Sequence, residues 1–166
     1  MVFIAFILFV ICQRLLELIV ASRNEKWLLQ QGAIEYGKKH YPLIVALHSL
    51  FIISMILDYN SRDSAQFSPV FFVIFIVLIT LKVWVISSLG KYWNTKIYRI
   101  SNVSLVSRGP YKFIKHPNYV IVVAEIAIIP LVFHLYFTAI VFSLLNAAML
   151  YVRISVENRA LSISSK

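Results

Sequence analysis

The 166-residue sequence predicts an all-α integral membrane protein with about five transmembrane helices, a long cytoplasmic loop and a C-terminal helical hairpin. Three observations carry this. First, 60% of the residues are hydrophobic and 14% charged, with a mean hydropathy of +0.82. A soluble domain is about 45–50% apolar and about 25% charged. Second, the apolar residues gather into five runs, each near the ~20 residues that cross a bilayer core as a helix. Third, the basic residues crowd onto one predicted side. Such a composition excludes intrinsic disorder. The one cysteine, Cys12, excludes an intramolecular disulfide and a cysteine-based zinc site, so no metal is expected, and four glycines leave no Gly-rich nucleotide loop. The length fits one domain over 1–166, with three spans in 1–89 and a loop, hairpin and tail in 90–166.

The first run, Val2–Ala21, has no basic segment before it and is followed by Arg23-Asn-Glu-Lys26 rather than a small-residue cleavage site. It therefore reads as a span and not as a signal peptide. Tyr41–Leu57 and Pro69–Leu89 are the second and third. Asn118–Phe133 is the shortest, roughly 24 Å at about 1.5 Å per residue, and it carries Pro130. Only His134 separates it from Leu135–Val152, so the last two runs read as a tight hairpin.

Orientation follows from the 16 basic residues. Arg23, Lys26, Lys38 and Lys39 lie in the first loop. Lys91, Lys96, Arg99, Arg108, Lys112 and Lys115 lie in the third, and Arg153, Arg159 and Lys166 at the C-terminal end. With five alternating spans these thirteen share one side, against Arg62 on the other, which puts the N-terminus outside and the C-terminus in the cytoplasm. A net charge of +9 does not point to nucleic acid, because the basic residues border spans and form no single basic face. Anionic lipid headgroups account for them.

Polar side chains inside spans are costly and mark sites of interest. Arg14 and Glu17 are three apart on one helix face and can pair. His48 reads as a hydrogen-bonded packing histidine. Lys82 is expected to snorkel toward the interface. Glu125 sits mid-run and must face protein or a pocket.

The 27 residues Gly90–His116 are too long and polar for a plain connector, and Trp93, Tyr98, Tyr111 and Phe113 argue against disorder. Gly109-Pro110 marks a turn. Pro117 suits the first turn of a helix, where its missing N–H is not needed, and such a helix start offers backbone N–H groups to a ligand. His116 stands just before it. Arg153 and Glu157, four apart on one helix face at the end of the last run, either pair with each other or bind charged ligand groups. The hairpin is expected to bring His116–Tyr119 beside them.

Gly109-Pro-Tyr-Lys-Phe-Ile-Lys-His-Pro-Asn-Tyr119, followed by Arg153-x-x-x-Glu157-Asn158-x-x-Leu161, resembles the isoprenylcysteine carboxyl methyltransferase family. The layout is similar to small bacterial members associated with type III polyketide synthases, some of which O-methylate alkylpyrones. The resemblance implies S-adenosylmethionine as cofactor and a methyl acceptor that is a lipophilic small molecule reaching the site from the bilayer. It assigns Val103, Ser104, Leu105, Val106, Tyr111, His116, Pro117, Asn118, Tyr119 and Glu157 to the cofactor, and Arg153 to the acceptor's oxyanion. Lys96 falls where some members carry a cofactor-contacting glutamine. Ile121, Asn158 and a tail ending five residues after Leu161 depart from the family pattern, as does Val103, where the family has a histidine.

The resemblance makes the chain a multi-pass cell-membrane O-methyltransferase with its active site on the cytoplasmic side. The acceptor is an alkylpyrone-type hydroxyl giving a methyl ether, or alternatively a prenylcysteine carboxylate giving a methyl ester. Two other classes stay open: a nicotinamide-dependent reductase, which in its usual form has many more spans, and a non-catalytic membrane protein or transporter, which should show a pseudo-repeat. The basic-residue split makes a first prediction: a reporter fused after Lys166 is active in the cytoplasm, and an external reporter would overturn this topology.

Overall fold

The computed structural model describes residues 1–62, 66–101, 103–104 and 106–163, the last four by their backbone alone. Five helices account for most of it: α1 (Val2–Gln30), α2 (Tyr41–Asn60), α3 (Pro69–Leu89), α4 (Pro117–Leu131) and α5 (Tyr136–Ile163). The bounds follow from local chemistry. α1 runs past Ala21 because neither glycine nor proline interrupts it before Gly32. There, Gly32 at φ +76° turns the chain, and Gly32 N and Ala33 N donate to Leu29 O and Leu28 O, both at 3.0 Å. This pair of bonds satisfies the last carbonyls in the manner of a glycine-terminated helix. α3 has the bounds of its apolar run and ends at Gly90, φ +55°.

Among the described residues, four helices are long and apolar enough to cross a bilayer, and α4 is a shorter apolar helix of 15 residues. The all-α architecture of about five apolar helices stands, and the short one is the fourth run, the shortest in the sequence. At about 1.5 Å per residue α4 is roughly 22 Å long, less than the ~30 Å hydrocarbon core. Its end is set by Pro130 and a tight turn, in which Phe133 N and Leu135 N donate to Pro130 O and His134 takes φ +56°. α4 and α5 follow each other as expected, joined by four residues, 132–135, rather than by His134 alone.

The long loop is not without regular structure. Ile97–Arg99 (β2) pairs antiparallel with Ile34–Tyr36 (β1), with Ile34 opposite Arg99, Glu35 opposite Tyr98 and Tyr36 opposite Ile97. Segments of three residues carry too little periodicity to be read from sequence.

The chain divides into two compact units, each discontinuous in sequence. The first comprises Met1–Pro42, Leu89–Val106 and Val152–Lys166. Here the second half of α1 holds the start of the long loop by its backbone. Asn24 Nδ2 donates to Gly90 O at 3.2 Å and Trp93 O at 2.7 Å, and Asn94 Nδ2 donates to Ala21 O at 2.8 Å. Trp27 meets Tyr92 edge-on at 5.3 Å. Arg14 and Glu17 pair at 3.0 Å, as their spacing predicts.

The second unit comprises Leu43–Ser88 and Ser107–Tyr151. Its core includes Met55, Phe75, Ile126, Ile129 and Leu135, all fully buried. α2 joins α5 through Phe51 on Phe142 and through the buried Asp58, which accepts from Thr138 N at 3.1 Å and Thr138 Oγ1 at 3.0 Å. Arg62 Nε donates to the same carboxylate at 3.0 Å. His48 Nδ1 lies 2.9 Å from Ile44 O, the packing role expected of it. Lys82 does not snorkel. It is 3% exposed and donates to the fully buried Glu125, because a carboxylate across the helix interface solvates an ammonium more directly than a distant headgroup region.

Asp58 tests how much of the hairpin's placement is polar. Asp58→Ala leaves the Thr138 backbone N–H without its acceptor, a cost of about 1–3 kcal/mol, while the Thr138 hydroxyl keeps the Ser54 hydroxyl 2.9 Å away. Thermal unfolding in detergent is expected to show a Tm several degrees lower; an unchanged Tm would assign the hairpin's anchoring to apolar packing alone.

Candidate active site

The motif-bearing segment lies in the second unit. A 3₁₀ turn, Gly109–Lys112, opens it, and both of its ends are anchored. Arg108 Nε donates to Ser88 O at 2.8 Å, at the end of α3. Gly109 stands at φ +57° so close to Ser88 that a Cβ there would lie 2.2 Å from Ser88 Oγ. Only glycine fits that backbone and that gap together. Phe113 N and Ile114 N both donate to Pro110 O, closing the turn. Tyr111, on this turn, is half-buried.

Pro117 is the first residue of α4, as its φ restriction and missing N–H favour, and His116 precedes it as the N-cap, at φ −131° and ψ 63°. The row of backbone donors expected at this helix start is shortened. Pro117 has none, and Tyr119 N donates to His116 O at 3.1 Å. The side chains take over the exposed role: the rings of His116 and Tyr119 stack, 19° from parallel with centroids 5.3 Å apart, and both are half-buried. Pro117 is buried and Asn118 half-buried.

The other sequence-derived site residues lie in the first unit. Val103 and Val106 are half-buried and Ser104 exposed on a stretch without regular structure, while Leu105 falls outside the described residues. Arg153 and Glu157 stand one turn apart on the last part of α5, each half-buried. Arg153 Nη2 donates to Thr95 O at 2.6 Å, and the Thr95 hydroxyl lies 3.2 Å from that of Tyr41. Thr95 and Tyr41 therefore position Arg153, a role with no signal in the sequence.

A polar cluster in the same unit was equally illegible. Lys96 Nζ donates to Glu25 Oε1 at 2.7 Å and sits 5.5 Å from the centre of the Tyr41 ring. The Tyr98 hydroxyl donates to Glu25 at 2.7 Å and lies 3.3 Å from Glu35. The Lys96 ammonium, at the position of a cofactor-contacting glutamine in some relatives, is thus committed to a carboxylate of α1. The Glu25 hydrogen bond raises the Lys96 pKa. Burial, and then its hydrogen bond to Glu25, push the Tyr98 hydroxyl well above the usual phenol range.

The donor set fits S-adenosylmethionine chemically. That cofactor combines a flat adenine with a cationic ammonium and sulfonium, and the chain offers stacked, half-buried aromatic rings at His116 and Tyr119 and a half-buried carboxylate at Glu157.

The sequence model of the isoprenylcysteine carboxyl methyltransferase (ICMT) family matches residues 70–163, more than half of the chain. The chain belongs to this family, whose methyltransferases use S-adenosylmethionine. It is similar to YpbQ of Bacillus subtilis, 46% identical over 154 residues that cover 91% of each chain. A Haemophilus influenzae protein is 30% identical over 152 residues, covering 90% of this chain and 88% of its own. Both relatives are described as uncharacterized. No solved structure matches the chain.

The Lys96–Tyr98 cluster makes a pH prediction. Both groups hold their protons more tightly in the folded than in the unfolded chain. Their stabilisation is complete below the unfolded values, about 10 for tyrosine and about 10.4 for lysine, and is lost as pH rises through the higher folded values. Tm in detergent is expected to fall as pH rises above about 10, and Tyr98→Phe to flatten that fall. Identical profiles for the two proteins would separate Tyr98 from the effect.

Proposed function

We propose that this chain is an S-adenosylmethionine-dependent O-methyltransferase acting on an anionic oxygen of a lipophilic acceptor, an alkylpyrone-type polyketide hydroxyl, to give a methyl ether. The observation that carries the reading is the family motif folded as a tethered turn and a proline-started helix, with His116 stacked on Tyr119. The acceptor class rests on the likeness of the sequence layout to small bacterial members associated with type III polyketide synthases. The family's own description favours a second reading, methylation of a prenylcysteine carboxylate to a methyl ester.

When bound, the cofactor supplies a sulfonium methyl whose C–S bond breaks as the acceptor oxygen forms the new C–O bond. The acceptor is already an anion in both readings, so no residue has to act as a general base. The chain's task is then orientation and exclusion of water. Tyr111, His116, Pro117, Asn118 and Tyr119 would hold the cofactor's flat part, and the family resemblance assigns Val103, Ser104, Leu105 and Val106 to the same cofactor. Glu157 attracts its cationic part. Arg153, pinned by Thr95 O, presents a fixed positive charge to the acceptor oxyanion. The acceptor's tail would lie in the bilayer, and the basic residues crowded around the motif-bearing loop favour the cytoplasmic face for the reaction.

S-adenosylhomocysteine binding to the detergent-purified protein tests the reading directly. His116→Ala and Tyr119→Phe are expected to raise its Kd; normal binding by both folded variants would sink the cofactor assignment. Arg153→Ala should lower kcat/KM by about 10²–10³, at about 1.36 kcal/mol per decade, with cofactor affinity nearly kept. Glu157→Gln should raise the cofactor's Kd instead. If the two residues only pair with each other, the singles behave alike and the double variant is milder than their sum. Offered an alkylpyrone and a prenylcysteine, the protein is expected to methylate the first; a base-labile methyl ester on the second alone would select the carboxylate reading.

A further inference from the structure

α3 holds the motif-bearing segment at two points. At its C-terminal end are Ser88 with Arg108 and Gly109, as described above. Six residues earlier, about 9 Å along the helix at about 1.5 Å per residue, Lys82 Nζ donates to Glu125 Oε2 at 2.5 Å. Between these tethers lies the whole segment Gly109–Tyr119, with the His116–Tyr119 stack.

The second tether is polar on an otherwise aliphatic stretch of α4. From Val120 to Ile129, α4 carries only valine, isoleucine and alanine apart from Glu125. Such a surface packs almost equally well after a small slide or rotation, since one aliphatic side chain replaces another. On α3, Thr80 turns back to Ile76 O of its own helix, whereas Lys82 reaches across. A one-residue slip of α4 moves it by about 1.5 Å and turns it by about 100°, which takes the carboxylate away from the ammonium. A buried polar pair is thus a register mark, as single polar residues are in helical coils. The buried stripe that it fixes, Pro117, Ile121 and Glu125 at four-residue intervals, begins at the residue after His116.

We propose that Lys82 and Glu125 are a positioning pair for the cofactor-binding motif. They set the axial and rotational register of α4, and with it where His116 and Tyr119 stand. The inference rests on the cofactor reading given above for its consequence, but not for its geometry.

The test replaces the pair by apolar residues, Lys82→Met together with Glu125→Leu, because a single substitution strands one buried charge and can simply unfold the protein. Three quantities are measured in detergent: Tm, the S-adenosylhomocysteine Kd, and amide hydrogen exchange over residues 109–121 without ligand. A pair that serves stability alone predicts that affinity follows Tm. A positioning pair predicts a Tm near that of the wild type, exchange in 109–121 faster by about tenfold, and a Kd higher by at least about tenfold, since small misplacements are costly. An unchanged exchange rate, or an unchanged Kd in a wild type that binds, overturns the inference. A wild type that binds no S-adenosylhomocysteine removes the cofactor reading instead, and the exchange comparison then decides the positioning role by itself.

Discussion

Hydrocarbon offers no partner to a charge, so each polar group that the helices carry into the bilayer must find its solvation inside the protein. Lys82 and Glu125 are the strongest case. The two buried side chains pair across α3 and α4, and breaking such a pair by removing one partner typically costs about 3–5 kcal/mol. The same constraint recurs at other depths. Asp58 gathers both donors of Thr138 and the Arg62 guanidinium. His48, Thr80 and Ser88 fall back on carbonyls of their own helices. Lipid is as apolar as the helix faces, so close packing and interhelical hydrogen bonds draw the helices together, and these few polar contacts select one arrangement among similar ones.

The division of labour continues in the loops. Side-chain amides of Asn24 and Asn94 carry the contacts between α1 and the long loop, and the Glu25–Lys96–Tyr98 cluster adds charge to them. Arg153 is drawn onto Thr95, within reach of the Tyr41 hydroxyl. Methyl transfer gains from rigidity, because the rate depends on how well the reacting atoms are held. A long loop fixed by several backbone contacts, and a turn that only glycine permits at 109, meet that need.

Much of this was legible in advance. The apolar runs named α3 to the residue, the start of α2 and the hairpin, because span length and hydropathy are local properties of a chain in a bilayer. Pro117 marked the start of α4 for an equally local reason, its fixed φ and absent donor. The motif residues from Tyr111 to Tyr119 were recognisable as a string. Other features were not legible. α1 continued to Gln30 because nothing stops a helix that has left the apolar region but meets no glycine or proline. The β1–β2 pairing joins two three-residue segments separated by two helices, and such short strands have no signal of their own.

The sequence by itself determined the solvent, the number and approximate length of the apolar segments, the turn at Gly109, the helix start at Pro117 and the family. All of these depend on residues close together along the chain. Tertiary structure alone decided which polar groups met. Lys82 found Glu125 43 residues away instead of the interface, Lys96 found Glu25 71 residues away, and Arg153 found a backbone carbonyl 58 residues away. The reason is physical. A long flexible cation reaches several possible partners, each worth a similar amount, and only the packing of the helices settles which carboxylate or carbonyl stands within 3 Å.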